Sequence, residues 1–306
     1  MPLYNLKVKK LTAVKEKALA LEKDIQAVTE ENLDAVFGLQ FVRSEFPIGQ
    51  FRLDTLAFDK TANAFVIIEY KRDKSFSVID QGVAYLAAML RNKAEFILEY
   101  NHRTGASFTK ASVDWDQSRI IFVARSFNVH QQNAIGFRDL AIELWEVTAF
   151  ENSTILFNQL HSPEAKISVK TISKNKDVAT VSNELKVISF DDHASYANEH
   201  IRDVLSSLRE KILNIGSDVT ETPKKVYIAY KSSTNFADVQ VQKNAIRITL
   251  NVKSGELQDP KHLAIDFAKL NKGHWGNGDY EIVIKESDEL PYAMELVRQA
   301  YIRQLL

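Results

Sequence analysis

Two hydrophobic periods alternate along the first 160 residues, and the points where they change divide the chain into elements. Leu11, Val14, Ala18, Leu21, Ile25 and Val28 recur three and four apart with charged residues between them, which predicts a helix over residues 11–39 with a break near Thr29 or Asn32. Residues 41–46 and 48–58 read as extended, and Asp59-Lys60-Thr61-Ala62-Asn63 places Asp and Asn where a hairpin turn favours them. The run Ala64-Phe65-Val66-Ile67-Ile68 suits a strand buried on both faces, and it ends abruptly on the ionisable residues Glu69-Tyr70-Lys71. A long helix follows over 75–100, opened by Ser75 or Ser77 as cap, with Val78, Val83, Leu86, Leu90 and Ile97 as its buried stripe. A strand at 119–124, a helix at 129–137 and a strand at 142–147 complete an α/β domain over residues 1–160.

Residues 161–190 are rich in Ser, Lys, Thr and Asn, which reads as a linker. A second, α+β domain over 191–306 begins with a long helix pattern at 192–215. Strands are expected at 225–230, 246–252 and 281–285, helices at 262–270 and 288–304, and a tight loop at Gly273-His274-Trp275-Gly276-Asn277-Gly278. No internal repeat is present.

Composition narrows the chemistry. With 306 residues, 45% hydrophobic and 26% charged, the chain has the make-up of an ordinary globular protein of two domains. Its longest apolar runs fall far short of the roughly 20 residues that span a bilayer, and residues 1–10 lack the apolar core of a signal peptide, so a cytoplasmic location and no membrane partner are expected. There is no cysteine, which removes disulfides, zinc ribbons, iron–sulfur clusters and thiol nucleophiles and leaves oxygen and imidazole ligands, favouring hard cations. A formal net charge of −1 gives no global field towards nucleic acid, so any DNA contact must use local patches.

The candidate chemistry lies between Asp54 and Gln81. Side chains alternate faces along a strand, so Glu69 and Lys71 point the same way while Tyr70 points to the other side. Folding the hairpin about residues 59–63 opposes residues whose numbers sum to about 122; Glu69 then lies opposite Leu53, with Asp54 next door, and a bulge or twist brings the two carboxylates together. Paired carboxylates repel unless a proton or a cation sits between them, and a divalent cation serves best. Lys71 beside them would stabilise a phosphate oxyanion or orient an attacking water whose pKa the metal lowers.

Asp54, then Glu69-Tyr70-Lys71 on the next strand, resembles the PD-(D/E)xK nuclease superfamily. That resemblance covers roughly residues 11–147. It implies a restriction-endonuclease-like core, a mixed central sheet with helices on both faces, and Mg2+-dependent (or Mn2+-dependent) endonuclease action on DNA, in restriction, defence or repair. On it, Asp54 and Glu69 are metal ligands with Lys71 as their catalytic partner. Glu22 of the first helix matches the extra carboxylate of many members, and Gln81 and Tyr85 match polar positions in the following helix. The run from Gly49 to Lys71, with the basic Arg72 after it, looks like the EndoMS/NucS-type branch. Leu53 stands where the motif has its Pro. A homodimer, with two sites for two strands, is the corresponding expectation.

Each residue also has a plainer reading. Glu69 and Lys71 would make a solvated salt bridge at a strand end, Glu22 sits on a charged helix face, and Gln81 would serve as a cap or surface amide. Arg72, Lys74 and Arg125 lie at strand ends, where they would meet a phosphate backbone or simply water. Acidic-x-Lys triplets recur at Glu164-Ala165-Lys166, Glu184-Leu185-Lys186 and Asp259-Pro260-Lys261, but none follows an apolar strand paired to an Asp-bearing one. His193 and His200 are two helical turns apart, too far for one metal, and the glycine loop at 273–278 lacks a phosphate-cradle pattern. The C-terminal sequence, with Tyr227-Ile228-Ala229-Tyr230-Lys231 and Gly273-His274-Trp275-Gly276, looks like a small domain of unknown function found behind nuclease-like domains. It would bind DNA or a protein. The rival to a nuclease is an inactive nuclease-fold module for DNA or protein binding.

Overall fold

The computed structural model describes residues 3–17, 22–71, 77–137, 140–160, 176–185, 187–269 and 278–304. The chain divides into two compact units, Met1–Val187 and Ile188–Leu306.

The first unit opens with a hairpin of β1 (Leu3–Lys7) and β2 (Lys10–Val14), followed by the short β3 (Glu16–Lys17), α1 (Glu22–Glu31) and α2 (Leu33–Phe37). Of the helix expected over 11–39, residues 22–31 and 33–37 are helical, and residues 18–21 lie outside the described residues. Leu11 and Val14 belong to a strand, and their three-residue spacing matched a helix by coincidence. Then come β4 (Gln40–Ile48), β5 (Phe51–Asp59) and β6 (Ala64–Lys71), and the helices α3 (Val78–Arg91) and α4 (Lys93–Thr104). The long helix expected over 75–100 is broken at Asn92, whose side-chain amide donates to the carbonyl of Ala88 and competes with helix continuation. Ser77 caps α3 by accepting from the backbone N–H of Asp80; Ser75 lies outside the described residues.

Last in this unit are β7 (Arg119–Ala124), α5 (Val129–Gln132), β8 (Ile142–Phe150), β9 (Ile155–Leu160) and α6 (Lys176–Glu184). Residues 176–184, read from sequence as linker, are helical. Val178, Val181 and Leu185 join the core at the three- and four-residue spacing of one helix face.

Among the described residues the strands form one mixed sheet in the order β3-β8-β7-β6-β5-β4, with β9 also paired to β8. The pairs β4–β5, β5–β6 and β8–β9 are antiparallel, whereas β6–β7 and β7–β8 are parallel. This is the mixed central sheet expected of the α/β fold. Both faces are covered. On one, Phe58, Phe65, Ile67, Ile120 and Phe122 pack with α3, α4 and α6; on the other, Ala57, Val66, Ile68, Tyr70, Ile121 and Val123 pack with Ile25, Leu33 and Phe37 of α1 and α2. Arg119, at the start of β7, is buried between Asp59 (2.9 Å) and Glu143 (2.6 Å).

The second unit contains α7 (Phe190–Ala194), α8 (Glu199–Leu213), β10 (Thr220–Pro223), β11 (Ile228–Lys231), β12 (Asn235–Gln242), β13 (Ala245–Leu250), β14 (Ile265–Asp266), β15 (Tyr280–Ile284) and α9 (Leu290–Ile302). The strands pair antiparallel in the order β10-β11-β12-β13-β15-β14. Ile201, Val204, Leu205 and Leu208 of α8 and Ala293, Leu296 and Val297 of α9 pack on the sheet residues Tyr230, Val239, Ile248 and Ile282. The helix expected at 192–215 is interrupted, because Asn198 caps α8 by accepting from the backbone N–H of Ile201. His193 therefore lies on a different helix from His200 and is buried, its ring bonded to the carbonyl of Lys224 at 2.7 Å. The helix expected at 262–270 is replaced by the short strand β14, and the glycine loop lies outside the described residues up to Asn277.

Gly278 has φ +131°, and a Cβ there would stand 2.0 Å from the carbonyl oxygen of Leu250. Gly278→Ala is expected to cost at least about 3 kcal/mol from backbone strain and overlap together, read as a fall in the urea midpoint at unchanged m-value.

Candidate active site

Asp54 and Glu69 are brought together by register. The β5–β6 ladder pairs Asp59 with Ala64 and Thr55 with Ile68, so one step further sets Asp54 directly across from Glu69, on the face covered by α3 and α4. No bulge is needed: the turn closes one position later than a hairpin centred on residues 59–63 implies. At that point side chains replace the ladder. The backbone N–H of Asp54 donates to Glu69 Oε1 (3.0 Å), and the backbone N–H of Tyr70 donates to Asp54 Oδ2 (2.9 Å). Each carboxylate thus closes off the other's strand, and the two carboxyl groups also share a hydrogen bond.

Charge is concentrated here under cover. Glu69 is 1% exposed, and burial together with the charge of Asp54 pushes its carboxyl from the ordinary 4.5 up to about 8. Asp54 is raised as well, by burial, against the opposing Tyr70 N–H and Lys71. Lys71 Nζ lies 3.1 Å from Glu69 Oε2. Burial works against its charge, but Glu69, Asp54 and Glu22 outweigh that and hold it above the usual lysine value.

The solvated salt bridge is therefore not what the strand end contains. The cluster sets buried Glu69 against half-buried Asp54 with a cation at its rim, and the burial that raises both carboxyls favours a proton, or a divalent cation in its place, between them. Two carboxylates suit Mg2+, which commonly takes one or two of them and fills its remaining positions with water and substrate phosphate.

The other predicted residues fall in several places. Tyr85 reaches the cluster: burial and the Glu69 charge raise its phenol, its ring packs edge-on against Phe51, and Gln81 Nε2 donates to its hydroxyl at 3.1 Å. The side-chain carbonyl oxygen of Gln81 is buried and finds no hydrogen-bond partner among the described residues, so this amide is neither a cap nor a surface group. Glu22, the first residue of α1, is half-buried and acts on Lys71 by its charge. Among the described residues, however, no three carboxylate or imidazole groups converge as a metal-holding set, so the three-carboxylate arrangement is not assembled and the pair stands without Glu22. Arg125 is exposed one residue past Ala124, which pairs with Lys71. Arg72 and Lys74 lie outside the described residues.

Sequence reasoning overlooked Gln26. Its side-chain amide donates to the carbonyl of Asp54 (3.0 Å), to Ser44 Oγ (3.1 Å) and to Glu30 Oε1 (3.0 Å), fixing the strand that carries Asp54 from the opposite face. The signal available was its position one helical turn after Glu22.

A pH test follows from the raised Glu69. The folded chain holds this proton more tightly than the unfolded chain, so its stabilising contribution is complete below about pH 4.5 and lost as pH rises through about 8. In EDTA the wild-type Tm is expected to fall over that interval, and Glu69→Gln should flatten the fall and melt higher than wild type on its alkaline side. Thermal unfolding across the interval checks it, and parallel curves for the two proteins would count against the paired-acid description.

Residues 190–303 match the family model of DUF5655, a domain of unknown function. Among solved structures, a repair endonuclease from Pyrococcus abyssi is 20% identical, over 43% of this chain and 50% of that chain, with a TM-score of 0.25. An EndoMS–double-stranded DNA complex is 16% identical over 48% and 64% (TM-score 0.25), and Pyrococcus furiosus SfsA in complex with Ca2+ is 13% identical over 50% and 77% (TM-score 0.25). The match spans half the length of the first of these. No described helix is long and apolar enough to cross a membrane. An uncharacterized protein of Haemophilus influenzae is 42% identical over 301 residues, 98% of this chain and 99% of that protein. At that identity and coverage, the chain belongs to the same family as the Haemophilus influenzae protein.

Proposed function

We propose that the first unit is a metal-dependent endonuclease of the PD-(D/E)xK type that hydrolyses phosphodiester bonds in DNA, with a restriction-endonuclease-like core. The observation that carries this reading is the geometry of the pair: buried Glu69 and half-buried Asp54 face each other across β5 and β6, each bonded to the other's strand, with the Lys71 ammonium 3.1 Å from Glu69. Asp54 and Glu69 would hold one divalent cation, Mg2+ or Mn2+. When bound, that ion supplies charge neutralisation at the phosphate and lowers the pKa of a water nucleophile.

The remaining chemistry belongs to the chain's own side chains. Lys71 stabilises the developing negative charge on phosphorus-bound oxygen and holds the water for attack. Gln81 fixes the Tyr85 hydroxyl at the site's edge, and Gln26 holds the Asp54 backbone in place. Arg125, exposed at the end of β7, is placed for a phosphate contact.

The test is cleavage of supercoiled plasmid, linear duplex and single-stranded DNA in Mg2+, Mn2+ or EDTA, with Lys71→Ala beside wild type. Metal-dependent cutting abolished in the variant is the expected result; equal cutting by both would sink the assignment. One observation favours the non-cutting alternative: among the described residues no three carboxylate or imidazole groups converge as a metal-holding set. Calorimetric titration with Mn2+ separates the two, because a catalytic pair binds the ion and loses it in Glu69→Gln.

A further inference from the structure

Among the described residues, no hydrophobic cluster includes the β1–β2 hairpin. Tyr4, Leu6 and Leu11 are exposed, and Val8 at the tip is 95% exposed. Every residue from Tyr4 to Ala13 is open to solvent. A two-stranded ribbon of this kind is marginal by itself in water, and it is held at its root, where Glu16 and Lys17 of β3 pair with Phe150 and Ala149 and the N–H of Glu151 donates to the carbonyl of Lys15.

Its charge has one sign. Residues 3–15 contain Lys7, Lys9, Lys10 and Lys15 and no Asp or Glu. All four lysines are exposed, and among the described residues none is in an ion pair with a carboxylate. Cross-strand pairing sets Lys7 opposite Lys10, a like-charge pair that costs stability until an anion lies against it.

The root position relates this arm to the site. Lys71, Ala124 and Glu146 lie in register across β6, β7 and β8, and β8 runs on to Phe150, where β3 pairs. The arm therefore leaves the same end of the sheet as the acid pair. Its root on β3 lies about 10–13 Å further along the strand direction at ~3.3 Å per residue, and three strands to the side of β6 at ~4.8 Å each. We infer that the β1–β2 hairpin is a DNA-gripping arm that lies in a groove of duplex DNA beside the cleavage site, its lysines on the phosphates. The major groove admits a two-stranded ribbon, and the lysines neutralise the backbone without reading sequence. This inference rests on DNA being the substrate of the Asp54–Glu69–Lys71 site.

The experiment is fluorescence anisotropy of a labelled duplex in EDTA over a salt series, comparing the full chain with its Lys7→Ala/Lys9→Ala/Lys10→Ala variant. The exposed positions leave the fold intact, checked by an unchanged Tm. The variant is expected to bind at least about tenfold more weakly, and its log–log salt slope should be shallower by about 0.9 for each phosphate that the arm no longer neutralises. Its metal-dependent cleavage rate at saturating DNA should equal that of wild type. Equal affinity and slope would overturn the arm while leaving the catalytic reading intact. A weakened variant alongside a wild type that binds but never cuts would uphold the arm and remove the nuclease. Unchanged DNA binding, with Leu6→Asp converting a dimer to a monomer in sedimentation, would overturn it in favour of an interface between copies of the chain.

Discussion

Lys71→Met is expected to lower the rate of metal-dependent DNA cleavage at saturating substrate by about 10²–10³, the usual cost of removing one preorganised donor to a developing oxyanion. Binding of the divalent cation should survive or tighten, because the substitution removes a positive charge 3.1 Å from Glu69 that repels the incoming ion. Glu69→Gln should show the opposite split, with both the cation and the activity lost. Lys71→Arg is not expected to restore the rate, since a planar guanidinium places its donors differently from an ammonium. Single-turnover cleavage and calorimetry on the same preparations give both readouts. If the Lys71 variant bound no cation, the lysine would be a structural member of the pair and not a partner in the chemistry.

The second large effect concerns stability at the other end of β7. Arg119→Met is expected to destabilise the first unit by about 3–5 kcal/mol, the range for breaking a buried ion pair by deleting one partner. Asp59 keeps its bonds from the N–H groups of Thr61 and Ala62, and Glu143 keeps those from Trp145 Nε1 and Gln159 Nε2, but a buried and a half-buried carboxylate lose the guanidinium that bridges them. Protonation removes their charge, so the deficit should shrink at acid pH. Replacing all three, as Arg119→Met with Asp59→Asn and Glu143→Gln, should recover much of the stability. Arg119 and Ala124 are five residue steps apart along β7, about 16 Å at the strand rise, so cleavage per folded molecule should not change. Urea unfolding at neutral and acid pH, with activity measured on the folded fraction, checks each part.

How much could be read in advance depends on the kind of signal. Asp54, Glu69 and Lys71 were accessible because strand alternation and one hairpin turn suffice to bring them together. The register was one residue off because the position at which the turn closes, Asp59 against Ala64, depends on backbone geometry that composition does not carry. The apolar stripe of 75–100 runs through Asn92 without interruption, so the break between α3 and α4 had no hydrophobic signature. Helix α6 was hidden by the reverse problem: three apolar residues in a Ser/Lys/Asn-rich stretch look like linker until a neighbouring face is present to bury them. Strand β12 was missed because buried Asp238 interrupts its apolar run. The β1–β2 ribbon was misread in part because Leu11 and Val14 fit a helical spacing, although Tyr4, Leu6 and Val8 already alternate with period two.

The exchange of hydrogen bonds between Asp54 and Glu69 and each other's strands makes the two acids joists of the sheet, whatever reaction they are proposed to serve. A chain of this fold cannot discard them as freely as it can discard Lys71, whose ammonium is bonded to the Glu69 side chain and, among the described residues, takes no part in the exchange between the two strands. A lineage that abandoned cleavage would therefore be expected to lose the lysine first and to keep Asp or Asn, and Glu or Gln, at the two acid positions. A retired enzyme of this architecture would still display most of the motif, and the residue at position 71 would be the better gauge of whether a given relative still cuts.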